Sequence, residues 1–289
     1  MSELSLLMLL LPALGWGLLP PVVAKIGGRP SNQIFGTTVG LLAASLVVFA
    51  IVRPTIDLKS FVFAALAGAF WVVGQVGQYI GYKNIGVSTT MPISTGMQLI
   101  GTSLIGVFIF GEWSTGIEKV AGVSGIVLLI VGIYLTSITD KGSKRDNHQA
   151  LVRNIIMLLF TAIGYCIYNS IPRGLESSGI AIFLPESIGM VLAALIYLAF
   201  SGQFDAVKQK VSWMNMIGGL IFSIAAVSYI FSVRDNGVNT AFIVSQVSVV
   251  ISTLGGMLVM HENKSRREMV FTLTGLVLII GGAVVTSIF

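Results

Sequence analysis

Charge is what this chain has least of. Only 10% of its 289 residues are Asp, Glu, Lys or Arg, against 55% hydrophobic, and the mean hydropathy is +0.92. A soluble globular domain carries about a quarter charged residues, so that class is excluded. Cysteine is nearly missing as well. The single Cys166, inside an apolar run, leaves no intramolecular disulfide and no Cys-based metal site. Histidine occurs twice, and His261-Glu262 lacks the second histidine of a zinc-binding helix. There is no Gly-x-Ser-x-Gly elbow and no Asp-rich metal motif. These absences argue against an intramembrane enzyme, and no cofactor or metal is expected. The net charge of +5 points to no nucleic-acid partner; its use is in orientation. Met1-Ser2-Glu3 lacks the positive start of a cleaved signal peptide, so the first apolar run reads as a retained helix.

What the chain has in abundance is apolar runs of about 20 residues, the length that crosses a bilayer as a helix. They fall at 4–24, 33–52, 60–82, 87–111, 120–138, 154–171, 179–200, 213–233, 238–260 and 269–288. Pro12, Pro20, Pro21, Pro92 and Pro185 lie inside these runs, where each removes a backbone donor and is expected to bend or unwind its helix. The halves resemble each other. A shift of 150 residues places Gly68 on Gly218, Tyr79 on Tyr229, Gly111-Glu112-Trp113 on His261-Glu262-Asn263, and Thr136-Ser137-Ile138 on Thr286-Ser287-Ile288. Five spans is an odd number, so the second copy enters the membrane inverted. The expected fold is an all-α integral membrane protein of ten transmembrane helices in a 5+5 inverted repeat. Residues 1–138 form the first repeat, 139–152 a polar linker and 153–289 the second.

The third run is not uniformly apolar. At about 100° per residue, Trp71, Gln75, Gln78, Tyr79 and Tyr82 share one face, and Gly74, Gly77 and Gly81 form an adjoining stripe where a neighbouring backbone could approach. Two amides and three rings are costly against lipid tails and sensible against a wet cavity. Amides reach hydroxyls and rings cover apolar C–H faces, a combination suited to a sugar or similar polyol. The same residues could instead serve only to join helices. The equivalent positions Ile221, Ala225, Ser228 and Ser232 do not match, so a symmetric scaffold has an asymmetric lining. Trp16, Gln98, Tyr165, Asn169 and Gln246 are further candidate substrate-binding residues, with Tyr168 beside them. Glu186, just after Pro185, is the ionisable residue standing inside a run. It reads either as a proton or cation site or as a first-turn residue of a helix that starts late.

Loop charge sets the expected orientation. Links 1–2, 3–4, 5–6, 7–8 and 9–10 hold twelve Lys and Arg, and the other links hold five. This places the first set in the cytoplasm and both termini outside.

The combination of Gly15-Trp16-Gly17-Leu18-Leu19-Pro20, Gly77-Gln78-Tyr79, Ile85-Gly86-Val87-Ser88 and Gln98-Leu99-Ile100-Gly101 resembles the glucose/ribose porter family. That family belongs to the drug/metabolite transporter superfamily, and the resemblance covers the whole chain. It implies a multi-pass protein of the bacterial inner membrane that imports glucose or a related monosaccharide by alternating access, coupled to protons. Some superfamily relatives have cytoplasmic termini, against the loop charges here. Two other readings stay open: export of a drug or amphiphilic metabolite, which an aromatic lining also suits, and a scaffold that transports nothing.

Overall fold

The computed structural model describes residues 3–140 and 148–288. Lys141, Lys144 and Arg145, three of the twelve loop cations that set the expected orientation, and the centre of the polar linker lie outside the described residues. Among the described residues, ten helices are long and apolar enough to cross a membrane. They are α1 (Glu3–Ile26), α2 (Pro30–Val52), α3 (Leu58–Ile85), α4 (Val87–Phe110), α5 (Gly116–Thr136), α6 (His148–Ser170), α7 (Gly179–Phe200), α8 (Lys210–Asn236), α9 (Val238–Val259) and α10 (Arg266–Ile288). The chain is a multi-pass membrane protein.

Several helices start earlier than their apolar runs because polar residues satisfy the first-turn N–H groups. Asp57 accepts from the Ser60 N–H at 2.9 Å, and the Ser60 hydroxyl, with this N–H second, holds its carboxyl below the usual range. Thr115 and Glu118 cap α5 reciprocally, at 3.2 and 2.9 Å. Ser178 caps α7 through the Ala181 N–H. Glu186 therefore sits eight residues into a helix that begins at Gly179, and the late-start reading is excluded.

None of the five prolines unwinds its helix. α1, α4 and α7 run on through Pro12, Pro20, Pro21, Pro92 and Pro185. The interruptions among the described spans fall at Asn215 in α8 and Gln246 in α9. At each, the side-chain amide donates to the carbonyl four residues earlier: Asn215 to Val211 at 2.8 Å, Gln246 to Phe242 at 3.4 Å. A side chain that occupies its helix's own acceptor competes with the backbone ladder.

Helix pairing follows a pattern. α1 packs on α8 and α9, and α6 packs on α3 and α4; α2 packs on α8 and α7, and α7 on α3 and α2. Outside this core, α5 and α10 pair with each other. Their seam is made of glycine. A Cβ on Gly132 would lie 2.7 Å from the Gly275 carbonyl oxygen, and one on Gly282 would lie 2.8 Å from that of Gly125. Backbones this close require both helices to be bare at the crossing. The buried centre holds Trp71 and Tyr79, almost wholly covered, while Leu46, Phe63, Leu192 and Ile196 face outward as a lipid-facing surface does.

A hydrogen-bonded amide array between aromatic rings

Trp71, Gln75, Gln78, Tyr79 and Tyr82 all lie within 7% exposure on the inner side of α3. Their bonds connect three helices. The Tyr165 hydroxyl of α6 donates to Gln75 Oε1 at 2.8 Å, and Gln75 Nε2 donates to Gln78 Oε1 at 3.2 Å. Tyr82 donates to the same Gln78 oxygen at 3.1 Å. Gln78 Nε2 in turn donates to Ser94 Oγ on α4 at 3.0 Å, and Gln98 Nε2 reaches that oxygen at 3.2 Å. The glycine stripe receives side chains more than backbone. A Cβ on Gly74 would collide with the Tyr165 ring, one on Gly77 with Thr161 and one on Gly81 with Thr90. Gly74 is bare so that the Tyr165 ring can lie across α3 and place its hydroxyl on Gln75.

Rings close the opposite side. Trp71 packs edge-on to Phe222 at 5.3 Å and to Tyr165 at 6.4 Å, and Trp16 lies 6.1 Å from Phe222 and 5.4 Å from Tyr229. The Trp16 Nε1–H is buried and has no partner among the described residues. A buried donor without an acceptor costs free energy of order 1–3 kcal/mol, which a hydroxyl-bearing ligand would recover.

The other sequence candidates divide. Tyr79 turns its hydroxyl away from the amides to Thr37 on α2, at 2.8 Å. Asn169 is exposed near the end of α6 and joins no printed contact of the array, and Gln246 bonds within α9, to Phe242 and Ser245. Glu186 is buried on α7 with Tyr168 of α6 beside its carboxylate, one turn from Tyr165. Its main-chain oxygen abuts Gly68, one turn before Trp71. Tyr168 and the Glu186 main chain thus each lie about one turn from a member of the array. Phe222 and Ser94 were not legible as partners. Phe222 lies one residue from the counterpart of Trp71, and Ser94 one turn from Gln98, so position alone carried the signal. No group of three or more His, Cys, Asp or Glu able to hold a metal occurs among the described residues. The site offers neutral donors, neutral acceptors and flat apolar faces, with one carboxylate nearby.

Residues 7–289 match the model of the family described as sugar transport protein. The chain belongs to that family. It is similar to the glucose uptake protein GlcU of Bacillus subtilis, 40% identical over 286 residues, covering 99% of this chain and 98% of that protein. A Lactobacillus johnsonii protein named as a candidate sugar uptake protein is 47% identical over 282 residues, covering 97% and 98%. A Latilactobacillus sakei protein named as a candidate ribose uptake protein, RbsU, is 38% identical, covering 99% of each chain. A solved crystal structure superposes with a TM-score of 0.63 at 14% identity, over 99% of this chain and 96% of that one, which shows the shared fold.

Proposed function

We propose that this chain carries a monosaccharide, glucose or ribose by the names of its relatives, into a bacterial cell across the cell membrane. The observation that carries the reading is the Tyr165–Gln75–Gln78–Ser94 chain of hydrogen bonds beside Trp71 and Phe222. Each glutamine amide presents one acceptor and two donors, and the array can exchange its internal bonds for bonds to neighbouring sugar hydroxyls. Membership of the sugar transport protein family, and the names of the relatives, support a carrier rather than an enzyme.

Alternating access fits the packing. At a 150-residue shift, α1 against α8 becomes α6 against α3. Gly125 and Gly132 become Gly275 and Gly282, and the contacts cross over, Gly125 to Gly282 and Gly132 to Gly275. Crossed contacts support an antiparallel pair, hence two halves related by an axis in the membrane plane. Glu186, buried beside Tyr168, is assigned the coupling proton. One proton moved through 100 mV supplies about 2.3 kcal/mol, or roughly 50-fold accumulation. Counterflow of labelled glucose and labelled ribose in proteoliposomes tests the reading; absence of counterflow for both sugars would reject it. Export of an amphiphile would instead appear as efflux of a dye inhibited by neither sugar.

A further inference from the structure

The two halves end α4 and α9 with the same acid, and the structure uses the two acids differently. Glu262 follows α9. Its Oε1 accepts from the Val87 N–H at 2.6 Å and its Oε2 from the Ser88 N–H at 2.9 Å. These are first-turn donors of α4 with no partner inside their own helix. A carboxylate there gains charge-assisted bonds and the favourable end of the helix dipole. Gly86, at φ 84, is pressed into the same contact: a Cβ on it would lie 2.7 Å from Glu262 Oε1. Gly256 of α9 closes over the spot, where a Cβ would lie 2.8 Å from the Ser88 nitrogen. Val87, Ser88, Thr89 and Thr90 are all buried.

The repeat carries Glu262 onto Glu112, Gly256 onto Gly106 and, with one residue of slip, Gly86-Val87-Ser88 onto Gly237-Val238-Asn239. Gly237 has the backbone of Gly86, φ 83 and ψ 156 against φ 84 and ψ 162. Nothing arrives there. Among the described residues a Cβ on Gly237 meets no atom within 4 Å, and Val238, Asn239 and Thr240 are exposed. The Glu112 carboxylate folds back over Gly106 and accepts from Arg173 Nη1 at 3.0 Å. Successive spans alternate in direction, so these two junctions lie on opposite faces of the membrane. One mouth is stapled and its counterpart is open.

We infer that Glu262 and Glu112 are alternate latches of the transport cycle. Glu262 holds the α4–α9 mouth shut on one face in this state. In the other state Glu262 leaves Val87 and Ser88, and Glu112 leaves Arg173 to accept from the Val238 and Asn239 N–H groups. Breaking one charge-assisted cap as another forms keeps two states close enough in free energy to interconvert. The inference rests on the proposed two-fold relation and transport reading, and goes beyond them in naming the residues that hold each mouth.

The test reads labelling rates across the membrane. In a Cys166→Ala background, a cysteine is placed by Ser88→Cys or by Asn239→Cys. Protein in nanodiscs, where both faces are accessible, is treated with a membrane-impermeant thiosulfonate. The Asn239→Cys protein should react fast and the Ser88→Cys protein slowly. Adding Glu262→Gln should speed Ser88→Cys labelling about tenfold and slow that of Asn239→Cys. Adding Glu112→Gln, at an exposed residue on the opposite face, should slow Ser88→Cys labelling by a similar factor. If Glu262 merely caps α4, Glu262→Gln speeds Ser88→Cys labelling and leaves Asn239→Cys unchanged, and Glu112→Gln does nothing at Ser88→Cys; that pattern overturns the latch. Should Glu262→Gln fail to fold, the Glu112→Gln arm decides alone. No sugar enters the assay, so a failure of glucose or ribose counterflow would fall on the substrate reading and not on the latch.

Discussion

The Tyr165 hydroxyl meets Gln75 Oε1 at 2.8 Å across the α6–α3 interface, in a place from which solvent is excluded. One bond thus joins α6 to the polar face of α3. Two roles are compatible with it, a brace between helices and a ligand-exchangeable contact, and mutagenesis separates them.

Gln75→Ala and Gln78→Ala each remove a participant in the array. We expect sugar affinity to fall about three- to thirtyfold, measured by binding on the purified variants. A brace alone would lower melting temperature and yield while affinity in the folded protein stayed normal. Scoring both quantities on one preparation decides which role holds.

Tyr79→Phe serves as the contrast. The Tyr79 hydroxyl bonds Thr37 on α2 and no member of the array. Its loss should cost about 1 kcal/mol of stability and change sugar affinity less than twofold. An affinity loss as large as that of Gln78→Ala would return the Tyr79 hydroxyl to the site.

Glu186→Gln preserves shape and removes the carboxylate beside Tyr168. Uphill uptake driven by an imposed pH gradient should disappear, while exchange of labelled for unlabelled sugar persists. Unchanged uphill uptake would give Glu186 a structural role only.

The α5–α10 seam predicts a stability effect remote from the sugar. Gly132→Ala places a methyl 2.7 Å from the Gly275 carbonyl oxygen, and overpacking of this kind costs about 1–3 kcal/mol. Gly281→Ala, on the same pair of helices but with nothing within 4 Å, should be tolerated. Thermal unfolding in detergent of the two variants side by side makes the comparison.

The polar stripe of α3 is legible from sequence because helical periodicity alone brings Trp71, Gln75, Gln78 and Tyr82 onto one face. A neutral amide inside a membrane helix also needs a partner that lipid cannot supply. Which partner is a different matter. Tyr165 is 90 residues away from Gln75 and Ser94 is 16 from Gln78. Tyr79, on the same stripe, turns to α2 because the stripe is wide enough to meet two neighbours. Prolines suggested breaks that the helices do not show. The interruptions come at Asn215 and Gln246, whose side chains bond their own helices, a choice that sequence leaves open for any buried amide.

Composition and span length are local properties, and they were enough to determine a ten-helix membrane protein. The tertiary structure alone decided which tyrosine joins the amide array, that Phe222 sits between Trp16 and Trp71, and that Glu262 caps α4 while Glu112 pairs with Arg173. The reason is physical. Span length and helical periodicity are read along one helix, whereas these contacts join residues far apart in sequence and exist only once the helices have packed.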